Sequence, residues 1–126
     1  MAATDFEAAF TALRQLLQIC PQRLAVQKDT PEEFSVGGRV PSPFPQHKGN
    51  PMWFGAVRTG KTAVSFHLMP LYMSPPLMAM LSPELKKRLQ GKTCFGFRNA
   101  PDAALLEELR KLTEAAVAQW SEKNWL

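Results

Sequence analysis

The fold is decided by residues 53–69, which have the sequence WFGAVRTGKTAVSFHLM. Two runs rich in aromatic and β-branched residues, 53–58 and 61–69, are separated only by Thr59 and Gly60. Such a pair of runs predicts a β-hairpin, because glycine supplies the positive φ that a two-residue loop requires. The sequence therefore predicts that these residues form the centre of an antiparallel sheet.

Helices and further strands flank this hairpin on both sides. Residues 4–19 carry apolar side chains at helical spacing and predict an amphipathic helix. The segment that opens at 99–102 and continues to Trp120 predicts another helix of the same kind. Three short alternating runs predict further strands, namely 24–28, 34–36 and 92–98.

The order of these elements predicts the fold class. Sequential strands joined by short turns favour an antiparallel sheet, and two amphipathic helices must cover one of its faces. We therefore expect an α+β sandwich in which about five strands carry the N- and C-terminal helices on one face. The 126 residues are the size of one ordinary domain, so residues 1–126 are predicted to form a single domain. The other face of the sheet would then be open, either to solvent or to a second subunit in a homodimer.

Charge and cysteine content narrow the class of protein. The net charge is +4, but apart from a short run of Lys and Arg at 86–92 the basic residues are scattered. Such a run is typical of a solvated helix face, so a nucleic-acid partner is not expected. Two separate cysteines form no disulfide framework, and neither a signal peptide nor a membrane-spanning run is visible. The predicted compartment is the cytoplasm, without membrane association.

Residues 55–62 match a well-known phosphate-binding pattern. Their sequence, GAVRTGKT, fits G-x-x-x-x-G-K-T, the phosphate loop of nucleotide hydrolases. That chemistry requires a helix that begins at the lysine, so that the helix N-terminus and the loop amides cradle the phosphates. Residues 63–68 instead alternate with a period of two, which predicts a strand. The match is therefore interpreted as a hairpin and not as a nucleotide site.

A cysteine and a histidine are the only candidates for catalytic chemistry. His67 and Cys94 lie on predicted strands of one sheet, on the face that also carries Ser65 and Arg98. A Cys–His pair acts as nucleophile and base only when a third group orients the base, and no such group is evident. No catalytic residue is therefore predicted, although a Cys94-dependent enzyme stays an alternative. Two histidines and two cysteines without ligand spacing predict no metal site.

A second candidate site combines methionine and aromatic residues. Trp53, Met69, Tyr72 and three further methionines surround a proline-broken segment, and a proline-rich loop spans 41–51. Such residues line adaptable apolar grooves, and they also form ordinary core. We expect the open sheet face, the loop and the Met-rich segment to form the binding surface. The predicted ligand-binding residues are Trp53, Ser65, His67, Tyr72, Cys94 and Arg98.

Two blocks of sequence resemble a known family. Residues 54–61 with 64–72 are similar to the central hairpin of YdhG-like proteins, a domain of unknown function, and residues 82–95 are similar to the block that follows it there. The resemblance spans roughly residues 34–115. It implies a helix–sheet–helix arrangement and no catalytic residues. Some members are described as frataxin-like iron chaperones, so the resemblance also implies iron as a ligand.

Three functions follow from these observations. The leading prediction is a non-enzymatic module that binds a small molecule or a protein. The first alternative is a frataxin-like protein that binds and delivers iron, which rests on the resemblance alone. The second alternative is the Cys94-dependent enzyme. No cofactor is predicted from the residues themselves.

Overall fold

A five-stranded antiparallel sheet forms the centre of the molecule. The computed structural model describes residues 2–18, 24–90 and 94–126. The strands lie side by side in chain order, and each pairs with the next in antiparallel fashion. They are β1 (Ala25–Asp29), β2 (Glu33–Gly37), β3 (Trp53–Thr59), β4 (Val64–Leu68) and β5 (Cys94–Phe97). Short turns join β1 to β2 and β3 to β4, whereas longer segments connect β2 to β3 and β4 to β5.

Two long helices cover one face of the sheet. Helix α1 (Ala2–Leu16) lies against β3 and β4, and α5 (Ala103–Glu122) packs beside α1. The inward residues of α5 are apolar at helical spacing, and its Trp120 ring meets Phe54 of β3 edge-on at 5.5 Å. The core lies between these helices and the sheet. The predicted α+β fold, with terminal helices on a five-stranded sheet, is confirmed.

The central hairpin is present, but its loop is longer than predicted. Thr59 pairs with Val64, so four residues connect β3 to β4. The Gly60 N–H donates to the Ala63 carbonyl oxygen at 2.9 Å. Gly60 does not adopt a positive φ, because a four-residue loop can be built around an ordinary turn. The phosphate-loop pattern thus lies in two paired strands and their turn, where the amides of β3 and β4 face neighbouring strands.

The segment after β4 contains two short helices, whereas the sequence predicted that residues 70–76 break the strand pattern and that residues 77–81 form one helical turn. Helices α2 (Pro70–Met73) and α3 (Pro75–Ala79) are each one turn long and begin with proline. Proline at the first helical position loses no hydrogen bond, so its presence does not prevent these turns. The Ser74 hydroxyl caps α3 by accepting from the Leu77 N–H at 3.3 Å. Both helices pack against α5.

A shared carboxylate joins the next short helix to α5. Helix α4 (Pro83–Arg88) begins at Ser82, whose hydroxyl accepts from the Leu85 N–H. The Glu108 carboxylate of α5 accepts two hydrogen bonds from Ser82, one from its backbone N–H and one from its hydroxyl, each at 2.8 Å. Strand β5 ends at Phe97, so Arg98 lies beyond it, and the predicted strand residues 92–93 fall outside the described residues. In the described part of the chain, no helix is both long and apolar enough to cross a membrane.

Candidate functional site

The face of the sheet opposite the helices carries a row of small and polar side chains. Strand register places one residue from each strand side by side in this row. From β1 to β5 they are Lys28, Ser35, Ala56, His67 and Cys94. Beside it runs a second row of Glu33, Arg58, Ser65 and Gly96. Both rows lie on the face that the sequence predicted to be open.

Trp53 lies across the middle of this face. Its indole N–H donates to the Ser35 hydroxyl at 2.9 Å, and its ring lies 5.9 Å from the His67 ring. Ala56 separates those two contacts and is only 4% exposed, although it lies on the open side. The indole therefore covers Ala56 and closes this part of the sheet from water. These two contacts, with Ser35 on one side and His67 on the other, hold the Trp53 ring in one orientation.

A bulge in β3 makes this arrangement of aromatic rings feasible. Val36 pairs with Gly55 and Gly37 pairs with Trp53, so Phe54 is an extra residue in the ladder. A bulge changes the direction of the side chains around it. Phe54 is buried in the core against the helices, whereas Trp53 lies on the open face. The sequence pattern around residue 53 does not reveal this change in register.

Beside Trp53 lies an apolar groove of 260 Å³. We call it the aromatic groove. Its walls come from the proline-rich loop, the start of β3 and the segment around α2, and its described lining residues are Phe44, Gln46, His47, Met52, Trp53, Met69 and Tyr72. Tyr72 is 64% exposed and stands at the rim. Pockets for small molecules are typically apolar with few polar groups, which is the composition of this groove.

The proline-rich loop is held in place by its own hydrogen bonds. The Ser42 hydroxyl lies 2.6 Å from His47 Nδ1 and also accepts from the Phe44 N–H at 3.1 Å. The left-handed conformations of Lys48 and Gly49, with φ of 52° and 84°, turn the chain back so that it reaches β3. Because Nδ1 is engaged, Nε2 is the ring nitrogen of His47 that remains for a ligand, and it has no partner among the described residues.

The Cys94 and His67 side chains are adjacent, but their ionisation does not suit catalysis. The two residues pair directly across β4 and β5. Burial raises the pKa of the Cys94 thiol, and a hydrogen bond with Ser65 offsets part of that rise. Burial and then the Arg58 guanidinium lower the pKa of His67, while Glu33 opposes the change. At neutral pH the pair is therefore a thiol beside a neutral imidazole, whereas a cysteine nucleophile requires a thiolate.

The structure brings the predicted site residues together only in part. Trp53 and Tyr72 line the aromatic groove, and His67 contacts the Trp53 ring. Ser65 and Cys94 lie farther along the open face, and Arg98 lines a separate cleft. Sequence reasoning missed the individual loop residues of the groove and Met52. The one signal for them was the proline-rich composition of residues 41–51, which marks an ordered loop but not what it contacts.

Over residues 2–18, 24–90 and 94–126, no three side chains of His, Cys, Asp or Glu come together in a way that would hold a metal ion. The Cys20 thiol lies outside the described residues. Comparisons with protein-family models, with curated proteins and with solved structures found no match to this chain.

Proposed function

We propose that the protein is a non-enzymatic binding module whose aromatic groove takes one flat, apolar ring of a small molecule. The observation that carries the proposal is the convergence of three aromatic rings on one 260 Å³ space. Phe44 comes from the proline-rich loop, Trp53 from β3 and Tyr72 from α2. Rings from three separate elements supply both faces and edges to a bound ring, which aromatic contacts favour.

The size and polarity of the groove define the class of ligand. A volume of 260 Å³ is just below the usual lower limit of about 300 Å³ for drug-sized ligands, so it suits a ring system of one or two rings. The thioethers of Met52 and Met69 adapt to irregular shapes and contact aromatic edges favourably. Gln46 and His47 add hydrogen-bonding groups at one side. The ligand is therefore expected to carry a polar edge.

The groove is also partly prepared before any ligand binds. Trp53 is fixed by its hydrogen bond to Ser35, and His47 by its hydrogen bond to Ser42. Side chains that are already ordered lose little conformational entropy on binding, which supports affinity at a small site. The open volume of the groove and the exposed Tyr72 ring favour a binding role over a role as ordinary core under a loop.

The two alternative functions have less support. The raised pKa of the buried Cys94 thiol gives no support to a thiolate nucleophile. Iron handling needs several hard ligands at one place, and none converge among the described residues. The similarity to YdhG-like proteins, a cytoplasmic location and a homodimer through the open face stay predictions beside this proposal.

Titration with indole tests the proposal. With about nine non-hydrogen atoms, indole should bind with a Kd on the order of 1 mM, as measured by saturation-transfer NMR. Tyr72→Ala removes one wall and should weaken binding by about two- to tenfold. Met80→Ala is the matched control, because Met80 is also exposed, at 46%, and does not line the groove. Equal affinities for both variants, or no saturation in the original protein, would overturn the proposal.

A further inference from the structure

A second concave site lies at the other end of β4 from the aromatic groove. Its volume is 490 Å³, and it is formed by the β3–β4 turn at Ala63, the end of α4, the end of β5 and the segment before α5. We call it the cationic cleft. Ala63 precedes β4 and Met69 of the groove follows it, so the two sites lie about 20 Å apart at about 3.3 Å per residue. The cleft is therefore independent of the function proposed for the groove.

Positive charge predominates in the cationic cleft. Lys87, Arg88 and Arg98 line it, and Asp102 is the one carboxylate among its described lining residues. An Asp102 oxygen already accepts from the Leu105 N–H at 2.9 Å, because Asp102 caps α5. Lys87 approaches Glu84 at 3.6 Å, but both side chains are well exposed, and such pairs are weak. The cleft thus presents a net positive field to solvent.

Packing fixes the position of the Arg88 guanidinium. The Arg88 guanidinium lies over the ring of buried Phe97, 5.0 Å from its centroid. This contact holds Arg88 at the end of α4, while Arg98 follows directly after Phe97 at the end of β5. Arg88 and Arg98 thus come from two different elements and both line the cleft. Guanidinium groups match the oxygens of a phosphate with paired hydrogen bonds.

We propose that the cationic cleft binds a small ligand through a phosphate monoester or pyrophosphate group. Three cations against one carboxylate suit a group with two or more negative charges. Gln90 and Asn99 also line the cleft and offer amide donors. The phosphate would be bound by side-chain cations. The loop pattern at residues 55–62 is not the basis for binding, because its amides lie in strands and a turn.

Titration of the full chain with inorganic pyrophosphate tests this assignment. Calorimetry at low salt should give one saturable site, and the affinity should fall as salt is added. Arg98→Gln should weaken binding by about tenfold, because it removes a charged hydrogen-bond donor from the cleft. Lys111→Gln is the matched control, since Lys111 is exposed on α5 and does not line the cleft. It should leave the affinity unchanged within about twofold.

A variant that improves binding adds a stricter test. Asp102→Asn keeps the cap of α5, because asparagine caps helices as well as aspartate, and it removes the carboxylate found among the described lining residues. Pyrophosphate should then bind at least about threefold more tightly. Absence of saturable binding, or equal losses in Arg98→Gln and Lys111→Gln, would overturn the proposal. Tighter binding of a single-stranded oligonucleotide than of pyrophosphate would also overturn it, in favour of a nucleic-acid backbone.

Discussion

Replacement of Trp53 by phenylalanine removes the indole N–H that donates to the Ser35 hydroxyl at 2.9 Å. Ser35 is only 6% exposed, so water replaces that partner poorly. Loss of the hydrogen bond should cost about 1 kcal/mol of unfolding free energy, and the smaller ring should lose about 1 kcal/mol of packing. Trp53→Phe should therefore cost about 2 kcal/mol, and Ser35→Ala, which removes the same bond from its other side, about 1 kcal/mol.

The double variant decides whether the hydrogen bond has been assigned correctly. Because the bond can be lost only once, the double variant should cost about 2 kcal/mol, which leaves a coupling energy of about 1 kcal/mol. Urea unfolding followed by far-UV circular dichroism measures all four proteins. Thermal unfolding measures the same losses. With an entropy of unfolding of about 2.1 cal/mol/K per residue, the 126 residues give a shift in Tm of about 4 °C per kcal/mol. Additive losses that total about 3 kcal/mol would show that Trp53 and Ser35 share no hydrogen bond.

Three further predictions follow from the pKa shifts and from the junction between α4 and α5. In a Cys20→Ser background, Cys94 should react with iodoacetamide at pH 7 more slowly than a cysteine in an unstructured peptide, because its pKa is raised; faster reaction would contradict the burial. The pKa of His67 is lower in the folded state than in the unfolded state. As the pH falls through the unfolded pKa, near 6.5, the unfolded state therefore binds more protons than the folded state, and the unfolding free energy should fall. His67→Gln should flatten this slope in urea titrations at pH 5 and pH 7, and an unchanged slope would exclude His67 as its source. Glu108→Ala should cost about 2 kcal/mol by removing two hydrogen bonds at the start of α4, whereas Glu107→Ala, at an exposed ion pair, should cost less than about 1 kcal/mol; similar losses would show that the junction adds nothing.

The fold could be predicted because its elements have strong local signals. The hairpin at residues 53–69 has two runs rich in aromatic and β-branched residues around a turn, and its second strand has Val64, Phe66 and Leu68 fully buried on one face. Helix α5 carries apolar residues at helical spacing over its whole length. Strands that follow one another in the chain usually lie next to each other in a sheet, which leaves few ways to arrange them. These signals depend on near neighbours in the chain, which a sequence displays directly.

Short-range detail was harder to predict where proline is frequent. Pro70 and Pro75 predict a break in the strand pattern. Each in fact begins a one-turn helix, because the first helical position needs no N–H donor. Gly60 was assigned a positive φ that a two-residue loop needs, and the loop has four residues instead. In both cases the residue type correctly predicts where an element ends, but it does not predict the backbone conformation that follows.

The site could be predicted only as a region. Trp53 and Tyr72 stood out as an aromatic pair near a methionine-rich segment, and both line the groove. The contact of Trp53 with Ser35 depends on the bulge at Phe54, which shifts the register of β3. Phe44 reaches the groove because the proline-rich loop folds back on itself. Such placements depend on contacts between residues far apart in the chain, and local sequence patterns do not show these contacts.

Methionine methyl resonances show directly whether the aromatic groove binds a flat apolar ring. Met52 and Met69 line the groove, whereas Met80 is exposed elsewhere on the described surface. Protein labelled with ¹³C at the methionine methyl groups would be titrated with indole and followed by two-dimensional NMR. Binding in the groove would give saturable shifts of the Met52 and Met69 methyl signals and leave the Met80 signal unchanged. Shifts confined to Met80, or equal small shifts at all three methionines, would contradict binding in the groove.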